Sequence, residues 1–396
     1  MRFLLSSVGT RGDVQPVLAL AVAVRALGQQ VRLCVPPNFL DWVGGYGFEV
    51  APMGVEMRLP RSGAPATPRE TMPDLITDQF ESVAAAADGC DAILGANAHQ
   101  YAAPSIAELA GIPYVNALYA AVALPSPDHA PPPAPAQVWT PGEPADNERR
   151  WEDTYASWNN RSLERINHNR TRLGLKPIED VLRYVLTDHP WLAADATLGP
   201  APTTPGRQVT QTGAWLLPDD SPLPAELQTF LDAGDPPVYL GFGSMPVTPE
   251  TSRTLIAAAR AAGRRIILSQ GWADLGLIDD ARDCIAIGDV NQQALFPRVA
   301  AVVHHGGAGT TTAAARAGSP QVVVSMFSDQ FYWGSRVRAL GIGSTLANAE
   351  LTAQALTTAL RDALTPAVAA QARTIAGQIT PDGAAVAARR LVEMLA

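Results

Sequence analysis

Cysteine is scarce: Cys34, Cys90 and Cys284 are the three among 396 residues, widely spaced and each in or beside an apolar run. That number and spacing exclude a disulfide framework and a Cys/His metal knuckle, and predict buried, reduced thiols in a cytoplasmic protein. Positive charge is also short. A formal net charge of −9 argues against a nucleic-acid partner, whose phosphates are neutralised by Lys and Arg. No stretch of 18 or more predominantly apolar residues escapes interruption by charges, Gly or Pro, so no spanning membrane segment is predicted. The first nine residues hold too short an apolar run for a signal-peptide core and read as a first strand. Asp-x-Asp occurs nowhere in the chain, so the simplest carboxylate arrangement for a Mg²⁺- or Mn²⁺-bridged diphosphate is missing.

What is present is apolar material for two cores, at 47% hydrophobic and 17% charged residues, in a length that suits two domains. Short apolar runs alternate with helical patterns from residue 3 to 118 and again from 238 to 340. This alternation marks βαβ units on parallel sheets, an α/β fold in two halves with a cleft between them. Between 121 and 146 eight prolines interrupt the pattern, which predicts a surface excursion. A polar helix is expected over 147–173, and the Pro/Gly segment 199–206 is the predicted linker.

Two loops carry candidate chemistry. The first, 9–16 (GTRGDVQP), joins strand one to helix one at the carboxyl edge of the first sheet. It lacks the third glycine of a dinucleotide fingerprint, and strand two ends without an acid, so a nicotinamide site is excluded. Asp13 in this loop is either a helix-start residue complementing the dipole or a general base for an attacking hydroxyl. The second loop, 304–310 (HHGGAGT), lies between a buried strand and a helix expected to begin near Thr311. Its glycines allow close approach of a ligand, and helix amides attract a diphosphate without a metal. Ser244 in the companion segment 241–244 (GFGS) lies on the same sheet edge, and with His305 and Thr310 it supplies donors for a leaving group. Asp329 and Gln330, after Ser328, are either a helix cap or a grip on sugar hydroxyls.

Together these segments, with 187–195 (TDHPWLAAD), 211–215 (QTGAW), 237–244 (PVYLGFGS), 268–274 (LSQGWAD) and 382–389 (DGAAVAAR), resemble the GT-B glycosyltransferases of natural-product metabolism. The likeness is greatest to those acting on vancomycin-type glycopeptide aglycones. The resemblance implies a GT-B fold: two Rossmann-like domains, 1–203 for the acceptor and 204–383 for the donor, facing across a cleft, with helix 384–395 packing back onto the first. It implies inverting transfer of a hexose from a UDP- or dTDP-sugar, with no other cofactor and no metal, to a bulky acceptor by a monomer or weak homodimer. Asp13 then stands at the catalytic base, and Ser244, His305, Gly307, Gly309 and Thr310 at the diphosphate. Asp329 and Gln330 fall at the donor sugar, and the Val290 backbone at the nucleobase. Many such enzymes stack the base on a Trp where this chain has Asp289, and Trp272 is the substitute expected here. Tyr119, Trp139 and Trp151 are expected to serve a large acceptor. The competing readings are a nucleotide-sugar 2-epimerase of the same fold and a non-catalytic partner protein.

Overall fold

The computed structural model describes residues 1–57, 74–133, 139, 142–245, 247–273 and 275–395. The first half runs β1 (Arg2–Ser7), α1 (Arg11–Ala26), β2 (Gln30–Val35), α2 (Leu40–Gly44), β3 (Glu49–Pro52), α3 (Leu75–Ala87), β4 (Ala92–Ala96) and α4 (Ala103–Ala110). It continues through β5 (Tyr114–Leu118), α5 (Pro144–Arg172), α6 (Val181–Leu186), β6 (Trp191–Leu192) and β7 (Thr210–Gln211). The second half runs α7 (Ala225–Asp232), β8 (Val238–Gly241), α8 (Pro249–Ala261), β9 (Ile266–Ser269), β10 (Cys284–Ile287), α9 (Gln292–Leu295) and β11 (Ala301–His304). It ends with α10 (Ala308–Arg316), β12 (Gln321–Ser325), α11 (Gln330–Ala339), β13 (Gly343–Ala347), α12 (Ala353–Ala363), α13 (Pro366–Ala376) and α14 (Gly383–Glu393).

The strands form two parallel sheets, ordered β3-β2-β1-β4-β5-β6-β7 and β10-β9-β8-β11-β12-β13. In each, the first strand is flanked by the second and fourth strands of its half, so the order reverses there. Loops at the carboxyl ends of strands beside such a reversal line a crevice. Those loops include 8–10 and 97–102 in the first half, and 242–245 and 305–307 in the second. Burial on both faces explains the continuous apolar strands: every residue of β4, β8 and β12 is buried. α1 is buried on more than one face, Val14, Val17, Leu18, Ala19, Leu20, Ala21 and Val24 all lying inside, as for a helix covered by a neighbour as well as by its sheet.

Three features differ from the sequence expectations. The 199–206 segment is a loop between β6 and β7 within the first sheet, which continues past residue 203 because Trp191 and Leu192 pair with Thr210 and Gln211. The chain passes to the second sheet after that pairing. α10 begins at Ala308, not near Thr311, because Gly307 already has the extended backbone of an N-cap. Cys34 and Cys90 are buried as expected, but Cys284 is only half-buried. No described helix is long and apolar enough to cross a membrane.

The two halves are joined at a buried crossing. Ala384, Ala387, Ala388 and Leu391 of α14 share one core cluster with Val17, Leu18 and Leu20 of α1 and with Trp215. A second cluster spans both halves, bringing Leu118, Trp151, Leu186 and Leu198 against Val323, Trp333, Val337 and Ile375. Asp195 is buried; its Oδ1 accepts from the amides of Thr197 at 2.9 Å and Leu198 at 3.2 Å, and its Oδ2 from the Thr380 amide at 2.9 Å and hydroxyl at 3.2 Å. It thereby ties the end of β6 to the segment leading into α14. At the same crossing a Cβ on Gly383 would lie 2.4 Å from both the Ala214 carbonyl oxygen and the Gly213 carbonyl carbon. Two backbones meet there with no room for a side chain. Gly383→Ala is therefore expected to cost about 1–3 kcal/mol, the range for overpacking, read as a lower midpoint in thermal or urea melts; an unchanged midpoint would show that the crossing is loosely packed.

Candidate active site

Asp13 is the third residue of α1, after Thr10 at the N-cap. Its Oδ2 accepts from the Thr10 amide at 2.8 Å, which satisfies a group the helix leaves orphaned. Its Oδ1 faces the Asn97 side-chain amide at 3.3 Å. The Asp13 carbonyl accepts from the Ser7 hydroxyl at 3.0 Å and the Tyr119 hydroxyl at 2.8 Å. Gly9 has φ +133°, and a Cβ there would stand 2.2 Å from Asp13 Oδ2, so the absence of a side chain is what gives the carboxylate its place. Burial pushes the Asp13 carboxyl up to about 6; the Thr10 amide and Asn97 pull it down, and the Asp329 charge raises it. Asp13 thus completes the helix start with one oxygen and holds a raised proton affinity on the cleft edge.

Across the cleft, the loop between β11 and α10 is built on two imidazoles. His304 is fully buried: its Nδ1 accepts from the Gly306 amide at 3.1 Å, so its Nε2 carries the proton toward Gln321 Oε1 at 2.9 Å. Gln321 in turn donates to the Thr311 carbonyl at 3.3 Å. Burial, with His305 adding to it, pushes His304 down to about 3. The His305 ring sits between the two glycine loops: a Cβ on Gly243 would meet its Cε1 at 3.1 Å, and one on Gly307 its Nε2 at 2.7 Å. Burial pushes His305 down to about 4, and its Nδ1 is buried with no hydrogen-bond partner among the described residues. Gly306, at φ +94°, presses against Val323 and the Gln330 carbonyl. Gly307 is the N-cap, and Gly309 and Thr310 lie in the first turn of α10, where backbone amides have no acceptor inside the helix. Ser244 follows Gly243 at the end of the facing loop.

Asp329 occupies the N-cap of α11 without making a side-chain cap. Its Oδ2 instead accepts from Trp333 Nε1 at 3.0 Å, and burial raises its pKa. Trp333 belongs to the apolar cluster between the halves, and a Cβ on Gly199 would come within 2.9 Å of its ring. Ser328, with φ +57°, makes the turn before Asp329. Gln330 is placed differently from a sugar-gripping residue: it is 4% exposed, its Oε1 accepts from the amides of Met326 at 2.8 Å and Phe327 at 3.2 Å, and its Nε2 faces the Met245 sulfur at 3.3 Å. Its amide shapes the loop from within.

At the other end of the cleft, Asp289 forms an ion pair with Arg11 of the first half, and the Arg11 guanidinium lies 4.8 Å from the centre of the Trp42 ring. Val290, beside it, is half-buried against the second half's core. Trp272 stacks on Phe39 with centroids 5.5 Å apart and planes 20° apart, so one of its faces is taken by the first half. The aromatics assigned to an acceptor divide differently from expectation. Trp151 is buried and donates to the His129 carbonyl at 3.1 Å, Trp139 donates to the Ala130 carbonyl at 3.3 Å, and Tyr119 is turned to Asp13. They brace the Pro-rich excursion and the α1 start because indole and phenol donors need partners once buried. Asn97, His304 and Trp333 went unread in the sequence. The available signals were a polar residue ending each of two apolar strands and a lone Trp four residues after an acid.

Comparisons with known proteins agree with this arrangement. Residues 3–124 match the glycosyltransferase family 28 N-terminal domain, and residues 255–394 match the erythromycin biosynthesis protein CIII-like C-terminal domain. The vancomycin aglycone glucosyltransferase of Amycolatopsis orientalis is 46% identical over 99% of this chain and 97% of its own length. The dTDP-epi-vancosaminyltransferase of the same organism is 42% identical over 95% of this chain and 93% of its own. Among solved structures, the glycosyltransferase of kitacinnamycin superposes with a TM-score of 0.74 at 20% identity, over 100% of this chain and 98% of that one. The glycosyltransferase VinC in complex with dTDP gives 0.69 at 22%, over 100% and 99%. Two parallel Rossmann-like sheets, matched over their length by these structures and relatives, define a GT-B glycosyltransferase. Within that class the chain belongs to the family of natural-product glycosyltransferases that includes the vancomycin aglycone glucosyltransferase and the dTDP-epi-vancosaminyltransferase. Neither the epimerase nor the non-catalytic reading is favoured by these relatives.

The imidazoles offer a direct check of the desolvated loop. His305 should stay neutral down to about pH 4 in a long-range ¹H–¹⁵N NMR titration, well below an ordinary His near 6.5. Because its folded pKa is lowered, the unfolded chain takes up protons first, and the stability this neutral imidazole contributes is lost as pH falls from about 6.5 toward 4. A midpoint in the ordinary range would show the loop to be hydrated.

Proposed function

We propose that the chain transfers a hexose from a UDP- or dTDP-sugar, with inversion and without a metal, to a hydroxyl of a bulky natural-product acceptor such as a glycopeptide aglycone. The carrying observation is the pairing of a desolvated Asp13 on one edge of the cleft with the glycine loop and free helix amides on the other. Asp13 takes the proton of the acceptor hydroxyl as its oxygen bonds to the anomeric carbon. The bond from that carbon to the diphosphate breaks on the opposite face, and its electron pair leaves with the diphosphate. The amides of Gly309 and Thr310, the Ser244 and Thr310 hydroxyls and the neutral His305 imidazole receive that charge. The unpartnered, buried His305 Nδ1 supports this, since a buried polar atom calls for a partner. Asp329, steered by Trp333, is assigned to the donor sugar, and the Val290 backbone to the nucleobase. Gln330 is assigned to shaping the sugar loop, and Trp272 to the nucleobase through the face that Phe39 leaves open. The buried thiols suit a cytoplasmic enzyme, acting as a monomer or weak homodimer.

Asp13→Asn tests the reading. It keeps shape and removes the base, so kcat should fall about 10²- to 10⁴-fold, measured with UDP-glucose and dTDP-glucose against a vancomycin-type aglycone and read by mass, with UDP or dTDP affinity retained. Near-wild-type turnover would sink the assignment. The raised pKa gives the pH sign: the base is competent above about 6, so kcat/KM should fall as pH drops through that value. For stability the sign is opposite to that of a salt-bridged acid. The folded state holds the Asp13 proton more tightly than the unfolded chain, so stability declines as pH rises from about 4 through about 6.

Metal independence rests on the missing Asp-x-Asp and on helix amides able to carry diphosphate charge. Turnover should survive EDTA. Loss of activity that Mn²⁺ restores would contradict it; modest stimulation by Mg²⁺ would not, because the ion binds released nucleotide.

A further inference from the structure

We propose that Asn97 is a positioning residue for the reaction: its amide fixes Asp13 Oδ1 in the orientation and ionised form in which it accepts the acceptor's proton. The inference rests on the general-base reading of Asp13. Asn97 follows β4 directly and adopts φ +69°, one of three non-glycine residues with positive φ among those described. Such a conformation is uncommon outside glycine, carries a cost, and collects at functional sites. Its backbone is pinned, since its amide donates to the Ala117 carbonyl at 2.8 Å and its carbonyl accepts from Asn116 Nδ2 at 3.0 Å.

The side chain is pinned as well, in one sense only. Oδ1 accepts from the His99 amide at 2.8 Å, and Nδ2 donates to the Val8 carbonyl at 2.6 Å. A carbonyl cannot donate and an amide N–H cannot accept, so the nitrogen must be the atom facing Val8. The group left 3.3 Å from Asp13 Oδ1 is therefore a donor, on a side chain held by two other contacts. A donor so placed favours the carboxylate over the acid, against the desolvation that favours the acid. The other polar and charged groups facing Asp13 are the Thr10 amide and, at 3.4 Å, the Thr10 hydroxyl on its carboxylate, the Ser7 and Tyr119 hydroxyls on its backbone carbonyl, and Asp329 from the second half. Arg11, two residues earlier in α1, is turned away to Asp289. Asn97 is thus the side-chain donor from the first sheet that opposes the like charge of Asp329.

Asn97→Gly is the informative variant, because glycine keeps the left-handed backbone without strain while the amide is lost. The fold should survive, as a melt would record, and UDP and dTDP should bind with unchanged affinity. The Asp13 carboxyl should titrate at higher pH by ¹³C NMR, the acid limb of kcat/KM should move up with it, and kcat should fall about tenfold, as for a lost hydrogen bond to a charged group. In an Asp13→Asn background Asn97→Gly should cost nothing further. An unmoved Asp13 titration, or an equal loss in both backgrounds, overturns the positioning role while leaving the base reading intact if Asp13→Asn alone is impaired. Full turnover by Asp13→Asn overturns both.

Discussion

A carboxylate out of water is expensive, and much of the first half's architecture serves to keep one at the head of α1. Isolated burial would leave Asp13 protonated near neutrality; the Thr10 amide and hydroxyl, the Asn97 amide and a glycine prevent this without removing its affinity for a proton. The Thr10 amide would be orphaned at any helix start, so its bond to Asp13 costs the fold nothing extra. Gly9 supplies the space. Asn97 holds a strained backbone to bring its amide within reach. The outcome is a pKa near 6, close enough to neutrality for an acid to be ionised yet still basic. Stability is traded for that value, as is common where an ionisable group is held ready for chemistry.

The second half solves a complementary problem with neutral groups. A loop proposed to receive negative charge would be expected to carry cations, yet His304 and His305 are both driven to the uncharged form by burial. Neutral imidazoles and helix amides present fixed dipoles that need no counterion and no reorganisation when charge develops. His304 contributes by anchoring Gly306, whose φ of +94° lets the chain turn tightly from β11 into α10. The division is physical: the first half withholds solvent from an acid, and the second offers oriented N–H groups.

The fold class was legible because both sheets are parallel and doubly covered, which forces the apolar run, glycine loop and helix repeat into the sequence itself. The edge loops were legible for the same reason, since a strand followed at once by Gly-rich sequence and a helix has few alternatives. Boundaries were less so. Two-residue strands such as β6 and β7 have no periodicity to detect, so the Pro/Gly loop between them looked like a linker. Side-chain partners were least legible. Whether Gln330 faces a cleft or its own loop depends on Met245, 85 residues away, and Trp151 resembles an acceptor platform until the His129 carbonyl is found accepting from its indole N–H.

The contacts between the halves differ in strength along the cleft, and that difference bears on how the cleft works. At one end Trp333, Leu198 and their neighbours are buried together, and the backbones at Gly213 and Gly383 touch. Breaking such packing exposes several large side chains at roughly 1.5–3 kcal/mol each. At the other end stand the Arg11–Asp289 pair, with side chains 42% and 76% exposed, and the Phe39–Trp272 stack. An exposed ion pair contributes about 0–1 kcal/mol and weakens further in salt, and a single aromatic pair adds about 0.5–1.5 kcal/mol. The clasp near the Val290 loop is therefore the contact thermal motion can open, while the crossing at α14 persists. Asp289 makes that mouth electrostatic, so its closure should respond to ionic strength.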